Sequence, residues 1–317
     1  MNSQIRERAE RLFELCEDVI IQINQKIILP NNNLIYHYTD ANGLKGIVQS
    51  QLLWGSNSQY LNDPTEYEYG LSIAMEKLKK GIDERVSSDT EIYKVLMSIL
   101  EMKSLYNDES HFVFSMSEEG DLLSQWRGYG DFCKGYSIGI NPNEIEILMK
   151  GLPTSPQVID LMGFYLLKVI YKKEEQSEIM EDAVDKILNK LLLWYNDDPK
   201  GIHSFQHLIM SLLKVFAYTF KHSTWKEEKE WRILYIKPKR TLSPIAPPYP
   251  TKYRVSKNGE LISYIEMNFG NDFLRLPIKE LIIGPGCADN SKETLEGFLS
   301  QNNYSSVNVI KSDIPYR

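Results

Sequence analysis

Residues 225–236 read Trp-Lys-Glu-Glu-Lys-Glu-Trp-Arg-Ile-Leu-Tyr-Ile, and the stretch changes from charged to apolar at its midpoint. Its second half, residues 231–236, is rich in aromatic and β-branched side chains, which is typical of a β-strand. Two carboxylates, Glu228 and Glu230, stand where this strand begins. Short apolar runs bounded by polar clusters recur along the chain, and their order predicts the fold.

Strands and helices are predicted to alternate irregularly along the chain. Apolar runs at residues 34–38 and 112–116 predict strands, whereas residues 177–195 and 202–220 have the three- and four-residue spacing of helices. Because the strands are dispersed among helices with few clean βαβ units, we expect a single α+β domain over residues 1–317. Its centre would be a mixed or antiparallel sheet of about eight short strands.

Two helical regions are expected beside this sheet. Residues 1–30 carry one apolar stripe at helical spacing that ends before Pro30, which predicts an N-terminal packing helix. Residues 172–222 contain two long helical patterns and predict a helical insertion. A further strand is expected just before this insertion, at residues 166–171.

Composition limits the class of protein. The 317 residues are 42% hydrophobic and 25% charged, which is typical of a folded globular chain. The three cysteines lie far apart without a Cys-x-x-Cys motif, so we expect neither disulfides nor a zinc site, and a reducing cytoplasm fits best. No segment approaches the roughly 20 apolar residues of a membrane span, and the N-terminus lacks a secretion signal. We therefore expect a cytoplasmic protein without membrane contact or resident metal.

Charge is distributed unevenly along the chain. The net charge of -7 argues against a surface devoted to nucleic acid, because phosphate binding relies on Lys and Arg. Residues 221–257, however, contain ten Lys or Arg against three Glu, a local balance of +7. A basic rim of this kind would suit a phosphate-bearing ligand, and a solvated charged face is the alternative.

His37-Tyr38-Thr39 stands at the end of a predicted strand, where alternation puts the histidine opposite its tyrosine neighbours. A histidine there can hydrogen-bond a ribose hydroxyl or act as an acid or base, because its usual pKa is about 6.5. A purely structural histidine is the alternative. Further along, Ser115 and Ser117 share one face of a predicted strand and can offer hydroxyls to a ligand or brace a carboxylate.

Polar residues in two loops are further candidates. Glu66 stands three residues after Asp63, a capping-box spacing, so a helix cap is the favoured interpretation of this loop. The alternative is that Asn62 or Glu66 faces the functional cleft. A second loop carries groups that could stack on a ligand or bind phosphate, although core packing is the favoured interpretation of its tryptophan. These groups are Gln125, Trp126, Arg127 and Tyr129.

Glu228 and Glu230 form a Glu-x-Glu pattern, which on a strand puts both carboxylates on one face, about 7 Å apart. Two carboxylates at that spacing can divide the work of polarising a nucleophile and stabilising developing positive charge. Trp225 and Arg232 flank the pair and complete the set of candidate substrate-binding residues. The alternative is a charged edge strand that prevents unwanted pairing.

Several of these clusters form a series of motifs in a specific order along the chain. They are His37-Tyr38-Thr39, Leu61-Asn62-Asp63-Pro64-x-Glu66, Phe114-Ser115-x-Ser117, Gln125-Trp126-x-x-Tyr129, Val169-Ile170-Tyr171, Lys221-x-x-x-Trp225-x-x-Glu228-x-Glu230-x-Arg232 and Ile282-Ile283-Gly284-Pro285. The series resembles the bacterial Domain of Unknown Function 2971 family (DUF2971) over most of the chain. That family name implies no particular chemistry.

The order of a His on the first strand, Ser-x-Ser on a later one and Glu-x-Glu on a still later one is similar to ADP-ribosyltransferase-like enzymes. The resemblance implies an ADP-ribosyltransferase-like core to the sheet and a site that binds NAD. It implies that His37 contacts ribose, with Ser115 and Ser117 supporting the site, and that Trp126 or Tyr129 stacks on nicotinamide. The implied catalytic carboxylate is Glu230 or Glu228.

We therefore expect an enzyme that cleaves the nicotinamide-ribose bond of NAD, by transfer to a protein or nucleic-acid acceptor or by hydrolysis. A toxin or antiphage effector under the control of a regulatory partner would fit that chemistry. A nucleotide or phosphate-ligand sensor without turnover is the alternative. A nucleic-acid-processing enzyme is a third interpretation, weakened by the lack of a dense metal-binding motif and by the acidic charge.

Overall fold

The computed structural model describes residues 11, 19, 34–63, 65–101, 109–145, 164–198, 206–238, 249–256, 259–269 and 275–316. Its strands are β1 Ile35–Thr39, β2 Leu52–Asn57, β3 Glu109–Ser117, β4 Tyr136–Ile140, β5 Phe164–Lys168, β6 Glu230–Pro238, β7 Lys252–Val255, β8 Leu261–Asn268, β9 Ile278–Ile283 and β10 Asn308–Lys311. Its α-helices are α1 Ala41–Ser50, α2 Glu66–Arg85, α3 Glu91–Glu101, α4 Leu123–Gly128, α5 Lys173–Asp197, α6 Gln206–Thr219 and α7 Ser291–Gln301. Two 3-10 helices cover Ser58–Tyr60 and Ser223–Glu228.

These ten strands form one mixed, mostly antiparallel sheet, which confirms the predicted α+β class. The main order is β10-β9-β4-β1-β3-β2-β8-β7, and β10 and β9 are parallel. β6 pairs with β3 along its whole length and with β5 on its other side. The opposite edge of β3 is shared, because β1 pairs at Ser117 whereas β2 pairs at Phe112 and Val113. The residues of β3 between these points therefore lie where β1 and β2 diverge.

Helices cover both faces of the sheet. Side chains alternate along β3, so that Val113 packs with apolar residues of α2, α3, α5 and α6, which we call the helical layer. Phe112, Phe114 and Met116 instead pack with α1 and α7 on the other face. None of the helices in the described ranges is long and apolar enough to cross a membrane.

The structure confirms two of the predicted helices and gives different bounds for the strand predicted before them. The helices expected within residues 172–222 are present as α5 and α6 and belong to the helical layer. The N-terminal helix expected over residues 1–30 lies outside the described residues except at Arg11 and Val19. The strand expected at residues 166–171 instead spans Phe164–Lys168, because Ile170 leaves β6 and bridges to Phe220.

The strand count exceeds the expected eight mainly because β7 was not predicted. It is a four-residue strand at the end of the sheet, paired only with β8. Three of its residues are exposed, so it has no buried face to produce an apolar alternation.

The contact between α2 and α6 depends on Gly70. A Cβ atom built at Gly70 would lie 2.3 Å from the carbonyl oxygen of Ala217 and 2.8 Å from its Cα. Because these are backbone atoms, the helices would have to separate, and we expect Gly70→Ala to lower the free energy of unfolding by about 1–3 kcal/mol in urea denaturation. Gly46→Ala is the control, since nothing lies within 4 Å of a Cβ in that position. It should be neutral or stabilising, and equal destabilisation by both substitutions would contradict the close approach.

Candidate functional site

Five charged side chains meet between β6 and the helical layer. They come from the first residue of α2, the segment after α6, the end of the second 3-10 helix and the start of β6. In the sheet, Glu230 lies opposite Ser117 and Arg232 opposite Ser115, so these side chains share the face that meets the helices. We call the five residues the ion cluster. They are Glu66, Lys221, Glu228, Glu230 and Arg232.

Arg232 is the most buried member of the ion cluster, with 1% of its surface exposed. Its Nε and Nη2 donate to the two carboxylate oxygens of Glu230 at 2.7 and 2.6 Å, a bidentate arrangement. Its Nη1 pairs with Oε1 of Glu66 and donates to the carbonyl oxygen of Tyr218 at 3.1 Å. Arginine–carboxylate pairs joined by two parallel hydrogen bonds are strong and fix the geometry of both partners.

Lys221 joins three carboxylates. Its Nζ lies 2.7 Å from Glu228, 2.9 Å from Glu230 and 3.1 Å from Glu66. Burial opposes its charge, but these carboxylates outweigh burial and the repulsion of Arg232, so its pKa is raised above the usual value. Burial likewise works to raise the pKa of Glu230, yet the charges of Arg232 and Lys221 lower it to about 2. Both groups are therefore charged at neutral pH, and three carboxylates face two cations.

Glu228 differs from the other carboxylates because its side chain is partly exposed, at 14%. Its Oε2 accepts from Lys221 at 2.7 Å, and its Oε1 accepts from the hydroxyl of Tyr129 at 2.9 Å. Asn62 donates to the same hydroxyl at 3.0 Å. Burial and the charge of Glu228 raise the pKa of Tyr129 to about 12, so the phenol keeps its proton at neutral pH. The backbone is held too, since Ser117 donates from Oγ to the carbonyl oxygen of Glu228 at 2.7 Å.

An open cleft lies beside the ion cluster. Two aromatic rings, Tyr69 and Trp225, stand in its wall, and Nζ of Lys221 lies 5.1 Å from the centre of the Trp225 ring. The lining residues are Asp63, Thr65, Glu66, Tyr69, His222, Thr224 and Trp225. Within the described ranges, no group of three or more His, Cys, Asp or Glu side chains is arranged to hold a metal ion.

The capping-box interpretation of Glu66 is wrong. α2 begins at Glu66 itself, and Thr65 occupies the N-cap position without a side-chain capping bond. Asp63 accepts from the backbone nitrogen and hydroxyl of Thr65 instead. The carboxylate of Glu66 turns inward to Lys221 and Arg232, because burial there is compensated by two cations.

The Glu-x-Glu geometry also differs from the expected one. Glu228 ends a 3-10 helix, and Lys229 has a φ of 44°, a left-handed conformation that turns the chain before β6 begins at Glu230. The two carboxylates meet at Lys221 because of this turn and not through strand alternation. The edge-strand alternative is wrong as well, since β6 has a neighbour on each side.

His37 is not brought to the ion cluster. Its ring stacks on Phe114 with centroids 4.2 Å apart, and alternation along β3 puts Phe114 on the opposite side from Ser115 and Ser117. Nδ1 lies 2.9 Å from the carbonyl oxygen of Ser115, which can only accept, so Nδ1 carries the proton. Burial lowers the pKa of His37 to about 4, and this histidine is neutral at physiological pH.

The residues next to His37 have structural contacts. Tyr38 donates to the carbonyl oxygen of Glu119 at 2.7 Å and accepts from the backbone of Leu122. Thr39 ends β1 directly before Asp40, which caps α1 by accepting from Gly43. These contacts hold the end of β1 and the start of α1, away from the ion cluster.

Only one residue of the second candidate loop reaches the ion cluster, namely Tyr129. Trp126 is fully buried against Tyr38 and donates from Nε1 to Asp121 at 2.6 Å, which confirms core packing as its role. Gln125 is also buried, whereas Arg127 is exposed at the surface.

Part of the expected basic rim is neutralised by carboxylates. Lys221 and Arg232 lie within the ion cluster, Lys229 pairs with Glu119, and Lys252 pairs with Glu266. Lys239, Arg240 and Lys257 fall outside the described residues. Four of the seven described Lys and Arg residues of this segment therefore have a carboxylate partner.

Lys221 was missed as a site residue, although the motif that begins with it contained the signal. Gln176 was missed as well, and it supports Lys221 by donating from Nε2 to its carbonyl oxygen at 3.0 Å. Tyr171 accepts from the backbone nitrogen of Glu230 at 2.9 Å. A glutamine inside a helical pattern carries no sequence signal of such a role, because its partner is 45 residues away.

Comparison with known proteins agrees with one expectation. Residues 125–233 match the model of a family described as "Protein of unknown function (DUF2971)", which supports the family resemblance of the motifs within this range. The matched region contains Tyr129, Lys221, Glu228 and Glu230, whereas Glu66 precedes it in the sequence. No curated protein and no solved structure matches the chain.

Proposed function

We propose that this chain, a match over residues 125–233 to a family of unknown function, cleaves the nicotinamide-ribose bond of NAD at the ion cluster. Glu228 would be the carboxylate that faces the reacting carbon. One observation carries the proposal: Glu228 is partly exposed while Tyr129 and Lys221 hold its two oxygens. A carboxylate held in place can stabilise positive charge without reorganising, which is usually a large part of catalysis.

The chemistry requires a group that tolerates positive charge on the ribose. In NAD the nicotinamide nitrogen is cationic, so the glycosidic C–N bond breaks with its electron pair moving to that nitrogen, and neutral nicotinamide leaves. The ribose carbon then resembles an oxocarbenium ion, the state that carboxylates stabilise in glycoside hydrolysis. A water or an acceptor hydroxyl forms the new bond to that carbon and releases its proton to solvent.

The surroundings of Glu228 suit the cationic nicotinamide ring of bound NAD. The ion cluster has one more carboxylate than cation, and Trp225 offers an aromatic face in the adjacent cleft. Glu230 would act through another residue, because its carboxylate is buried and occupied by Arg232 and Lys221. We assign it as a positioning residue that keeps Lys221 in reach of Glu228.

The test is release of free nicotinamide from NAD by the purified protein. We expect Glu228→Gln to lower the rate by about 10²-fold or more, because the substitution removes the negative charge while keeping the size of the side chain. Circular dichroism and melting temperature of the variant should remain close to those of the wild type.

Glu227→Gln is the matched control, since Glu227 is the exposed neighbour of Glu228 and the substitution makes the same change in charge. Release by the wild type and Glu227→Gln, but not by Glu228→Gln, is the expected pattern. An unimpaired Glu228→Gln variant, or a wild type that releases no nicotinamide, would rule the proposal out.

A sensor without turnover is the second candidate function. The observation that favours it is that the carboxylate oxygens of Glu66, Glu228 and Glu230 already have partners within the protein. A network whose carboxylate oxygens are all paired within the protein can shape a binding cleft without taking part in a reaction. NAD would then raise the melting temperature of the wild type and of Glu228→Gln alike, with no nicotinamide released.

A further inference from the structure

A second surface with binding chemistry lies on β2, β7 and β8, away from the ion cluster. In the sheet, Tyr264 lies directly opposite Ser56 on one neighbouring strand and opposite Lys252 on the other. These three side chains therefore form one row on the same face. Trp54 and Arg254 stand two residues from Ser56 and Lys252, so they share this face. We call these five residues the β2–β8 face.

Arg254 has no counter-ion in the part of the chain that the structure describes. Its Nη2 donates to Oγ of Ser56 at 2.9 Å, while its Nε is buried without a hydrogen-bond partner. Burial lowers the pKa of Arg254, and the negative charge of Asp40 opposes this change. The carboxylate of Asp40 also caps α1 by accepting from the backbone nitrogen of Gly43.

The unpaired N–H and the lack of a counter-ion among the described residues make Arg254 a candidate to bind an anion. A half-buried guanidinium with an unsatisfied N–H is unfavourable, because it has lost water without gaining an acceptor. An anion with several oxygens would balance the charge of Arg254, and the planar fork of arginine matches phosphate. Lys252 on the same strand offers no such site, since Glu266 already pairs with it at 2.6 Å.

Trp54 supplies the second half of a nucleotide site. Its side chain is 42% exposed, although large aromatic side chains are usually buried. Its ring is supported from below by Tyr264, with centroids 4.7 Å apart. Nucleobases stack on exposed aromatic rings of this kind, and the guanidinium of Arg254 lies on the same face of the sheet.

We propose that the β2–β8 face binds a nucleotide, with Arg254 and Ser56 holding the phosphate and Trp54 stacking on the base. This inference goes beyond the proposed function, because it uses no residue of the ion cluster and requires no turnover. It also differs from the sensor alternative, which places the ligand in the cleft beside Lys221.

Isothermal titration calorimetry with AMP, inorganic phosphate and adenosine tests the assignment. We expect AMP to bind more tightly than either fragment. Arg254→Met should weaken AMP binding by about tenfold or more and leave adenosine unchanged, because only the phosphate loses its partner. Trp54→Ala should weaken AMP and adenosine but not phosphate. Arg254→Lys, which keeps the charge and loses the fork, should fall between Arg254→Met and the wild type.

Two controls distinguish a specific phosphate site on the β2–β8 face from general electrostatic attraction and from binding at the ion cluster. Lys45→Met removes an exposed positive charge outside the β2–β8 face and should leave AMP binding unchanged; an equal loss would mean that only the general field attracts AMP. Glu228→Gln should bind AMP like the wild type, and a loss there would place AMP at the ion cluster. The proposal fails on either result, on undiminished AMP binding by Arg254→Met, or on a wild type that binds no AMP at millimolar concentration.

Discussion

Arg232→Met should destabilise the protein by about 3–5 kcal/mol, the usual cost of removing one partner from a buried ionic network. The substitution leaves Glu66 and Glu230, both nearly inaccessible to solvent, with Lys221 as their shared cation. It also removes the donor to the carbonyl oxygen of Tyr218. Urea denaturation at neutral pH, with the midpoint and slope compared between variant and wild type, measures the loss.

A second substitution shows whether charge or packing causes this loss. Arg232→Met combined with Glu230→Gln removes one cation and one carboxylate, so the double variant should recover part of the stability. Arg232→Lys should lie between Arg232→Met and the wild type, because it keeps the charge without the bidentate fork. A double variant less stable than Arg232→Met would show that the missing contacts, and not the uncompensated carboxylates, dominate.

The free energy of unfolding should fall by about 3 kcal/mol as the pH decreases from about 6.5 to about 4, because of His37. The folded-state pKa of this residue is lowered by burial to about 4. In the unfolded chain its pKa is about 6.5, so within this window only the unfolded state binds the proton and is favoured by acid. Stability therefore rises with pH through the window and is complete above about pH 6.5.

His37→Asn tests this assignment, since an amide nitrogen can still donate to the carbonyl oxygen of Ser115 but does not titrate in this range. The variant should lose most of the pH dependence between pH 4.5 and 7. His222→Asn is the matched control, because it makes the same substitution at an exposed histidine. A depressed pKa at Glu230 acts in a lower window, where stability is lost as the pH falls from about 4.5 towards 2. A pH profile unchanged by His37→Asn would refute the role of His37.

Much of the fold could be predicted from local sequence patterns. The strand predicted at residues 231–236 lies within β6, and the one at residues 112–116 lies within β3, because a continuous apolar run buried on both faces needs no distant information to be recognised. β7 escaped prediction because an exposed end strand is stabilised only by its pairing with β8. The same distinction applies to single residues, since Trp126 was expected in the core and is found there.

By itself the sequence determined the α+β class, the positions of the main strands and a set of candidates that contains Glu228 and Tyr129. Only the tertiary structure decided which of these candidates meet. Glu66 looked like a helix cap because its partners Lys221 and Arg232 are more than 150 residues away, and they reach it only when α2 packs on α6 and β6 pairs with β3. His37 was separated from the glutamates for the same reason. Strand and helix patterns act over a few residues, whereas charge pairing and the side of a sheet depend on contacts that form only when the whole chain has folded.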